Sequence, residues 1–339
     1  LASADMAGGA LACILILPNV SRVNWRVTVR MAVVFAIIGN LVSIYADSFG
    51  SLMIVRLLTG FANGFVLAIV FTGLCHSSNP DRFFGIYVFT QLTLQVVLLA
   101  VLPRVMAFAG MSAVYILLAA ASALSMFLAA IIPVGLTKKP LLDRRARAGI
   151  KLLGVWAIVA LGAQALYFFA PAAIWGYLEP IGNTFSLDIN EVGDALSMAS
   201  VAGIAGAAVV VILGARFDRI HCMLLGVLIS LAAVFVWLKG GGYADYLLAA
   251  ALFSFAWNYT FPYQMGVLAL FDRVGAVAVL SLIVQLVGLA FGPLLASLLL
   301  VGEGYDLILW ACAICYVGSL VMFVAANRHR PVGGAVYAN

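Results

Sequence analysis

Residues 81–103 read DRFFGIYVFTQLTLQVVLLAVLP, and residues 272–293 read DRVGAVAVLSLIVQLVGLAFGP. Gly85, Gln95 and Pro103 recur as Gly275, Gln285 and Pro293, each displaced by 190 positions, while Asp81-Arg82 recurs as Asp272-Arg273, displaced by 191. After the opening Asp-Arg, both stretches are apolar over about 20 residues, the length a helix needs to cross a hydrocarbon core. Matched landmarks at near-constant displacement point to two equivalent halves.

Working outward, similar apolar runs lie near 1–20, 27–47, 49–75, 84–109, 112–135, 151–178, 191–214, 220–238, 244–270, 273–301 and 305–326, eleven in all. They are long, unbroken and rich in Leu, Ala and Val. A membrane β-barrel would instead show alternating segments of about ten residues. Composition agrees: 65% of the 339 residues are hydrophobic and 9% are charged, where soluble domains carry about a quarter charged residues. The mean hydropathy is +1.17. These values exclude a soluble enzyme, a disordered chain and a disulfide scaffold. The sequence describes an all-α polytopic membrane protein.

The basic residues set an orientation. Arg22, Arg26, Arg30, Arg82, Lys138, Lys139, Arg144, Arg145, Arg147, Lys151, Arg216, Arg219, Arg273, Arg328 and Arg330 fall in one alternating set of loops, and only Arg56, Arg104 and Lys239 fall elsewhere. Asp47, Glu179, Asp188, Glu191, Asp194, Asp245, Glu303 and Asp306 gather on the other side. The positive-inside rule then puts 21–30, 136–151 and the C-terminus in the cytoplasm. The net charge of +5 is thus topological, and no nucleic-acid partner is expected. The basic loop at 136–150 reads as a linker between an N-terminal half, 1–135, and a C-terminal half, 151–327, with a tail at 328–339. Five spans precede the linker and six follow. Because the chain begins without Met, directly in an apolar run, a further span is expected before it.

Chemistry is sparse. The histidines (His76, His221, His329) have no metal-ligand spacing, and the C-x-x-C at Cys312 and Cys315 is i,i+3 spacing on a helix. There is no phosphate-cradling glycine loop and no nucleophile–base set. No enzyme activity, metal or cofactor is expected.

Two parallel six-helix repeats joined by a basic loop form the plan of the major facilitator superfamily, and local patterns agree. Arg56-Leu57-Leu58-Thr59-Gly60-Phe61-Ala62-Asn63-Gly64 resembles the family's R-x-x-x-G-x-x-x-G pattern. Gly214-Ala215-Arg216-Phe217-Asp218-Arg219 resembles the second-half copy of its G-x-x-x-D-R loop, and Gly288-x-x-x-Gly292-Pro293 resembles its glycine-proline motif. In the first-half loop, Leu17 and Ser21 stand where the pattern has Gly and Asp, and only the basic Arg22 remains. The resemblance implies the major facilitator fold, with the eleven spans counted as helices 2–12. It also implies a cavity lined by the spans at 49–75, 151–178 and 244–270.

Candidate site residues follow. Arg56 lies about two turns into its span, where a charge is costly unless it meets a cavity or a partner; the alternative is a side chain that snorkels outward. Asn63, seven residues on, shares its face. The span at 151–178 offers Gln164, Tyr167 and Trp175, and Glu179 before Pro180 is expected to close it. Glu179 is either an outer-gate or proton group or a solvated helix end. Trp257-Asn258-Tyr259-Thr260-Phe261-Pro262-Tyr263-Gln264 is the richest polar-aromatic stretch in any span, and Trp257, Asn258, Tyr259 and Tyr263 are candidates for stacking on a solute or for packing around a proline kink. Gln95 and Gln285, equivalent in the repeat, either touch solute or bond between helices. Gly60, Gly64, Gly288 and Gly292, with Pro293, are expected to let helices pack closely. By the resemblance, Gly214, Asp218, Arg219 and Arg82 form a cytoplasmic gate, Asp218 facing the start of the span at 84–109 with Arg82 adding a pair.

The expected function is secondary active transport of a small organic solute by alternating access, with protons as the coupling ion, in a cytoplasmic membrane and as a monomer. An uncoupled facilitator, or a solute sensor or membrane scaffold of the same fold, is the alternative.

Overall fold

The structure is a computed structural model that describes residues 2–129, 132–135, 154–300 and 304–330. The basic linker at 136–150 with Lys151, Glu303 and the tail beyond Arg330 lie outside the described residues. Ten α-helices follow one another: α1 (Ala2–Ile16), α2 (Trp25–Val42), α3 (Phe49–Cys75), α4 (Pro80–Leu128), α5 (Val155–Thr184), α6 (Ile189–Leu213), α7 (Arg219–Lys239), α8 (Tyr243–Ala269), α9 (Ala276–Ser297) and α10 (Asp306–Arg328). A short 3-10 turn, Ser43–Tyr45, follows α2.

Helix α4 contains two of the expected spans. It breaks at Gly110, whose φ of 75° and ψ of −179° are non-helical and open only to a residue without Cβ. With that break the described residues form eleven α-helical segments, the number read from the apolar runs. Among the described residues, eight helical stretches are long and apolar enough to cross a membrane. The chain is a multi-pass membrane protein, since in lipid every backbone N–H and C=O must find its partner inside the segment. Large apolar side chains point outward, Phe108 at 95% and Phe127 at 78% exposure, which a water-facing surface would not tolerate in such number.

Side chains define where helices begin. Ser48 and Ser51 close a capping box on α3, and Asp188 and Glu191 close another on α6, satisfying N–H groups that helices leave unpaired. One end is misread from sequence. Glu179-Pro180 does not close α5, which runs on to Thr184 through Pro171 and Pro180. Each proline removes a single N–H, and packing holds the last turns: Ile181 and Gly182 are buried, and Tyr246 Oη donates to the Leu178 carbonyl at 2.9 Å.

Two compact units form. The first comprises Leu1–His76, Gln95–Leu153 and Asp272–Ile283, the second Ser77–Leu94, Gly154–Phe271 and Val284–Asn339. Each takes most of its residues from one half of the chain and one short segment from the other. Those two segments hold the starts of the repeat pair, Asp81-Arg82 and Asp272-Arg273. In the first unit α1 and α2 pack on α3. A Cβ at Gly60 would strike the Asp5 backbone, and one at Gly64 would strike Gly9 and Ala12. In the second unit α6 and α7 flank α8, and α10 packs on α5 and α7. Gly288 meets Phe168, and Gly292 meets Ala172, where α9 crosses α5.

Candidate functional site

The first unit buries a guanidinium. Arg56 on α3 is 8% exposed, and its Nη2 donates to Asn40 Oδ1 at 2.9 Å, Ser43 Oγ at 3.0 Å and Thr59 Oγ1 at 3.2 Å. Its Cζ lies 5.5 Å from the centroid of the Tyr115 ring, within cation–π range. The acceptors come from α2, the 3-10 turn and α3 itself, so the side chain lies among helices and does not snorkel. Asn40 in turn donates to Ser122 at 3.4 Å. Nearby on α1, Asp5 interacts electrostatically with Arg56. Asp5 Oδ1 and Arg56 Nε are both buried without a hydrogen-bond partner among the described residues. Asn63, two turns along α3, is exposed, as is Gln95 on α4.

The second unit places its polar residues on α5 and α8. Gln164 and Tyr167 are buried, Gln164 Nε2 donating to Met265 Sδ at 3.3 Å and Tyr167 Oη to the Ala256 carbonyl at 3.5 Å. Tyr167 meets Tyr316 edge-on, and Tyr259 meets Tyr263 likewise. Trp257 is half-buried in a ring cluster with Phe168, Trp175 and Phe253. Half-buried Asn258 returns its amide to the Ser254 carbonyl of its own helix. Gln285 on α9 is buried. Glu179 is exposed.

A third feature joins the start of α4 to the start of α7 within the same unit. Arg219 Nε donates to Asp81 Oδ1 at 2.8 Å, and Nη2 donates to Oδ2 at 2.8 Å. The two parallel bonds make a fork-on-carboxylate pair. Asp81 is fully buried, and Arg219 is 20% exposed. Gly266 of α8 lies directly behind the pair: a Cβ there would collide with Asp81 Oδ1 and crowd Arg219 Nε. Gly266→Ala is therefore expected to destabilise the protein by about 1–3 kcal/mol, the usual cost of overfilling a packed site. Its unfolding midpoint in detergent should fall. An unchanged midpoint would show that the pair relaxes freely.

Among known structures, a single-residue variant of the E. coli fucose:proton symporter FucP matches with a TM-score of 0.79 at 12% identity, covering 96% of this chain and 89% of that one. The proton:xylose symporter XylE of the major facilitator superfamily, bound to 6-bromo-6-deoxy-D-glucose, matches with a TM-score of 0.72 at 14% identity over 96% of this chain and 84% of that one. The chain has the major facilitator fold. The human organic anion transporter MFSD10 is similar too, with a TM-score of 0.73 and 16% identity over 97% of this chain and 82% of that one. No family profile and no curated protein matches the sequence.

The contact expected of Asp218 and Arg82 is made by other residues. Asp218 does not face α4. It caps its own helix, accepting from Ile220 N at 3.0 Å and His221 N at 3.3 Å, and stands 51% exposed. A carboxylate one residue before a helix satisfies that helix's free N–H groups at once, so it has no call to reach across. Arg82 is exposed and makes no ion pair among the described residues. Asp81 and Arg219 carry the contact instead. Gly214, in a left-handed turn with φ of 54°, ends α6 against Asn79 and Arg82. The repeat-related Asp272, in the first unit, spends its carboxylate on the N–H groups of Gly275 at 2.7 Å and Ala278 at 2.8 Å. Arg22, at the position matching Arg219, is exposed. The two starts of the repeat thus use the same Asp for different tasks.

Proposed function

We propose that the protein is a secondary transporter that moves a small organic solute across the cytoplasmic membrane by alternating access, coupled to protons, as a monomer with its C-terminus in the cytoplasm. The observation that carries this reading is the buried Arg56 and its neighbour Asp5, a cation and a carboxylate set in a helical unit of this fold where each is costly without a function. Asp5 is the proton-accepting group in this reading, and Arg56 is its electrostatic partner. Half-buried Trp257 and Asn258 of α8, with Gln285 on α9, would meet the solute, while the fully buried Gln164, Tyr167, Tyr259 and Tyr263 would form the wall behind them. They carry no charge, which favours an uncharged hydroxylated ring that stacks on aromatics and hydrogen-bonds to amides and phenols. Similar folds in a fucose:proton and a proton:xylose symporter make monosaccharides the first probes. The organic anion transporter of the same fold adds small anions, which Arg56 would favour. The Asp81–Arg219 pair serves as a latch that must open once per cycle.

The test is counterflow of labelled fucose, xylose and a panel of small organic acids in proteoliposomes, with and without an imposed pH gradient. Counterflow together with gradient-driven accumulation supports the proposal. Counterflow indifferent to the gradient would make the protein an uncoupled facilitator. Binding without counterflow would make it a sensor or scaffold.

A further inference from the structure

Gln264 on α8 has no exposed surface, and neither its Nε2 nor its Oε1 has a protein partner among the described residues. Gln164 on α5, also fully buried, leaves Oε1 unpaired, and buried Thr260 has no full-strength hydrogen bond at Oγ1, its polar neighbour being the Tyr167 hydroxyl. The three side chains lie on facing stretches of α5 and α8. Thr260 and Gln264 are four residues apart and share one face of α8. Gln164 reaches Met265, the residue beside Gln264, at 3.3 Å. One turn away, Tyr167 reaches α8 at Ala256, and Thr260 seats against Gly226 of α7. The helix is interrupted in the same turns: Pro262 lacks the N–H that would serve the Asn258 carbonyl.

A primary amide offers two donors and two acceptor lone pairs, and buried polar atoms nearly always find partners. Four atoms without a full-strength hydrogen bond, on three side chains of these facing stretches, exceed what packing defects leave in one place. The group is neutral, mixes donors with acceptors and includes no carboxylate. A metal cation would remain uncompensated there, and an anion would meet amide and hydroxyl oxygens. Full burial behind Met265 and Tyr167 leaves no route for a ring-sized solute. What matches is a small neutral molecule that both donates and accepts, held by two to four polar partners, as internal water is.

We infer that Gln164, Thr260 and Gln264 form an internal water-binding site between α5 and α8 in the second unit. Water also supplies replaceable partners, so a small shift of α5 against α8 would not strip a polar group of its bond. The site is independent of whether the protein transports a solute.

The test is pulsed X-ray radiolysis of the full chain in lipid nanodiscs, read by mass spectrometry at methionine. Hydroxyl radicals born from a bound water oxidise the nearest sulfur, so Met265 should label despite its burial. Met223 on α7, only 1% exposed, is the dry reference. Met265 is expected to label at least about tenfold faster than Met223 if an ordered water lies within contact distance. Mixing into 18O-water just before the pulse should show slow uptake of the heavy oxygen, as for an enclosed water. In the Gln164→Met/Gln264→Leu variant the Met265 rate should drop to that of Met223. Equal rates for the two methionines in the unaltered chain would overturn the inference, leaving the two glutamines bonded to one another in a dry core. That comparison requires no variant, so a variant that fails to fold leaves the test intact. Fast labelling that persists in a folded variant would likewise overturn the assignment to these side chains.

Discussion

Arg219→Met is expected to cost about 3–5 kcal/mol of stability, because it strands a carboxylate that has no exposure to water. Asp81→Asn should cost less, about 1–2 kcal/mol. Arg219 is already 20% exposed, and once released its guanidinium can turn to solvent and recover part of what the pair supplied. The order of the two losses distinguishes an ion pair held inside from two side chains that merely touch. In the double variant the stranded carboxylate is gone, so its cost should fall short of the sum of the singles by at least about 1 kcal/mol. Equilibrium unfolding by SDS in mixed micelles gives all four corners of this cycle. Additivity within about 0.5 kcal/mol would mean that the pair is uncoupled. If the pair is the latch proposed above, its loss should shift the balance of open and closed forms about tenfold for every 1.4 kcal/mol.

This pair shows where reading the sequence succeeds and where it stops. The apolar runs foretold the helical segments because span length is dictated by the bilayer and needs no tertiary knowledge. Even the break within α4 lies where the runs at 84–109 and 112–135 part, at Gly110. Asp81-Arg82 is legible as a landmark of the repeat, but the family pattern points to Arg82 and Asp218, both of which are exposed. Asp81 and Asp218 each stand near a helix start with a basic neighbour. Which of them caps and which pairs depends on the facing helix, through Gly266, whose missing Cβ makes room for the fork. No local pattern encodes that. Pro180 misled for a related reason. A proline lowers the intrinsic helix preference by a known amount, but Tyr246 and the buried Ile181 and Gly182 hold the following turn. Gln264 stood inside the quoted aromatic stretch, but nothing in that stretch distinguishes a bonded glutamine from one with both ends free. Asp5 does carry a signal in the sequence: it is the single acid in the apolar run at 1–20, as Arg56 is the single base within its span.

The same two residues carry the other large effect. Asp5→Asn is expected to abolish accumulation driven by a pH gradient while leaving solute counterflow within about twofold of the unaltered chain, a change of less than 0.5 kcal/mol. Exchange requires only that the solute cycle, whereas accumulation requires a group that gains and loses a proton as it does so. Asp5 can be that group because one of its oxygens is buried without a partner, and the nearby Arg56 has a free Nε beside the Nη2 that three neutral oxygens hold. A guanidinium whose Nε is unpaired beside a bonded Nη2 can engage or release a carboxylate at that Nε by a small rotation, and in the proposed mechanism protonation of Asp5 is tied to where Arg56 points. Arg56→Met removes both the charge and the bonds to Asn40, Ser43 and Thr59, and should lower counterflow and accumulation together by about a hundredfold, or 2.7 kcal/mol. Arg56→Lys keeps the charge as a point donor without the planar fork, so it should fall between them. Size-exclusion profiles and unfolding midpoints are needed beside the fluxes, since the methionine variant leaves three polar side chains in search of new partners. Gradient-driven accumulation that survives in Asp5→Asn would remove Asp5 from coupling. Equal loss of counterflow in Asp5→Asn and Arg56→Met, with lowered midpoints in both, would reduce the pair to a structural contact between α1 and α3.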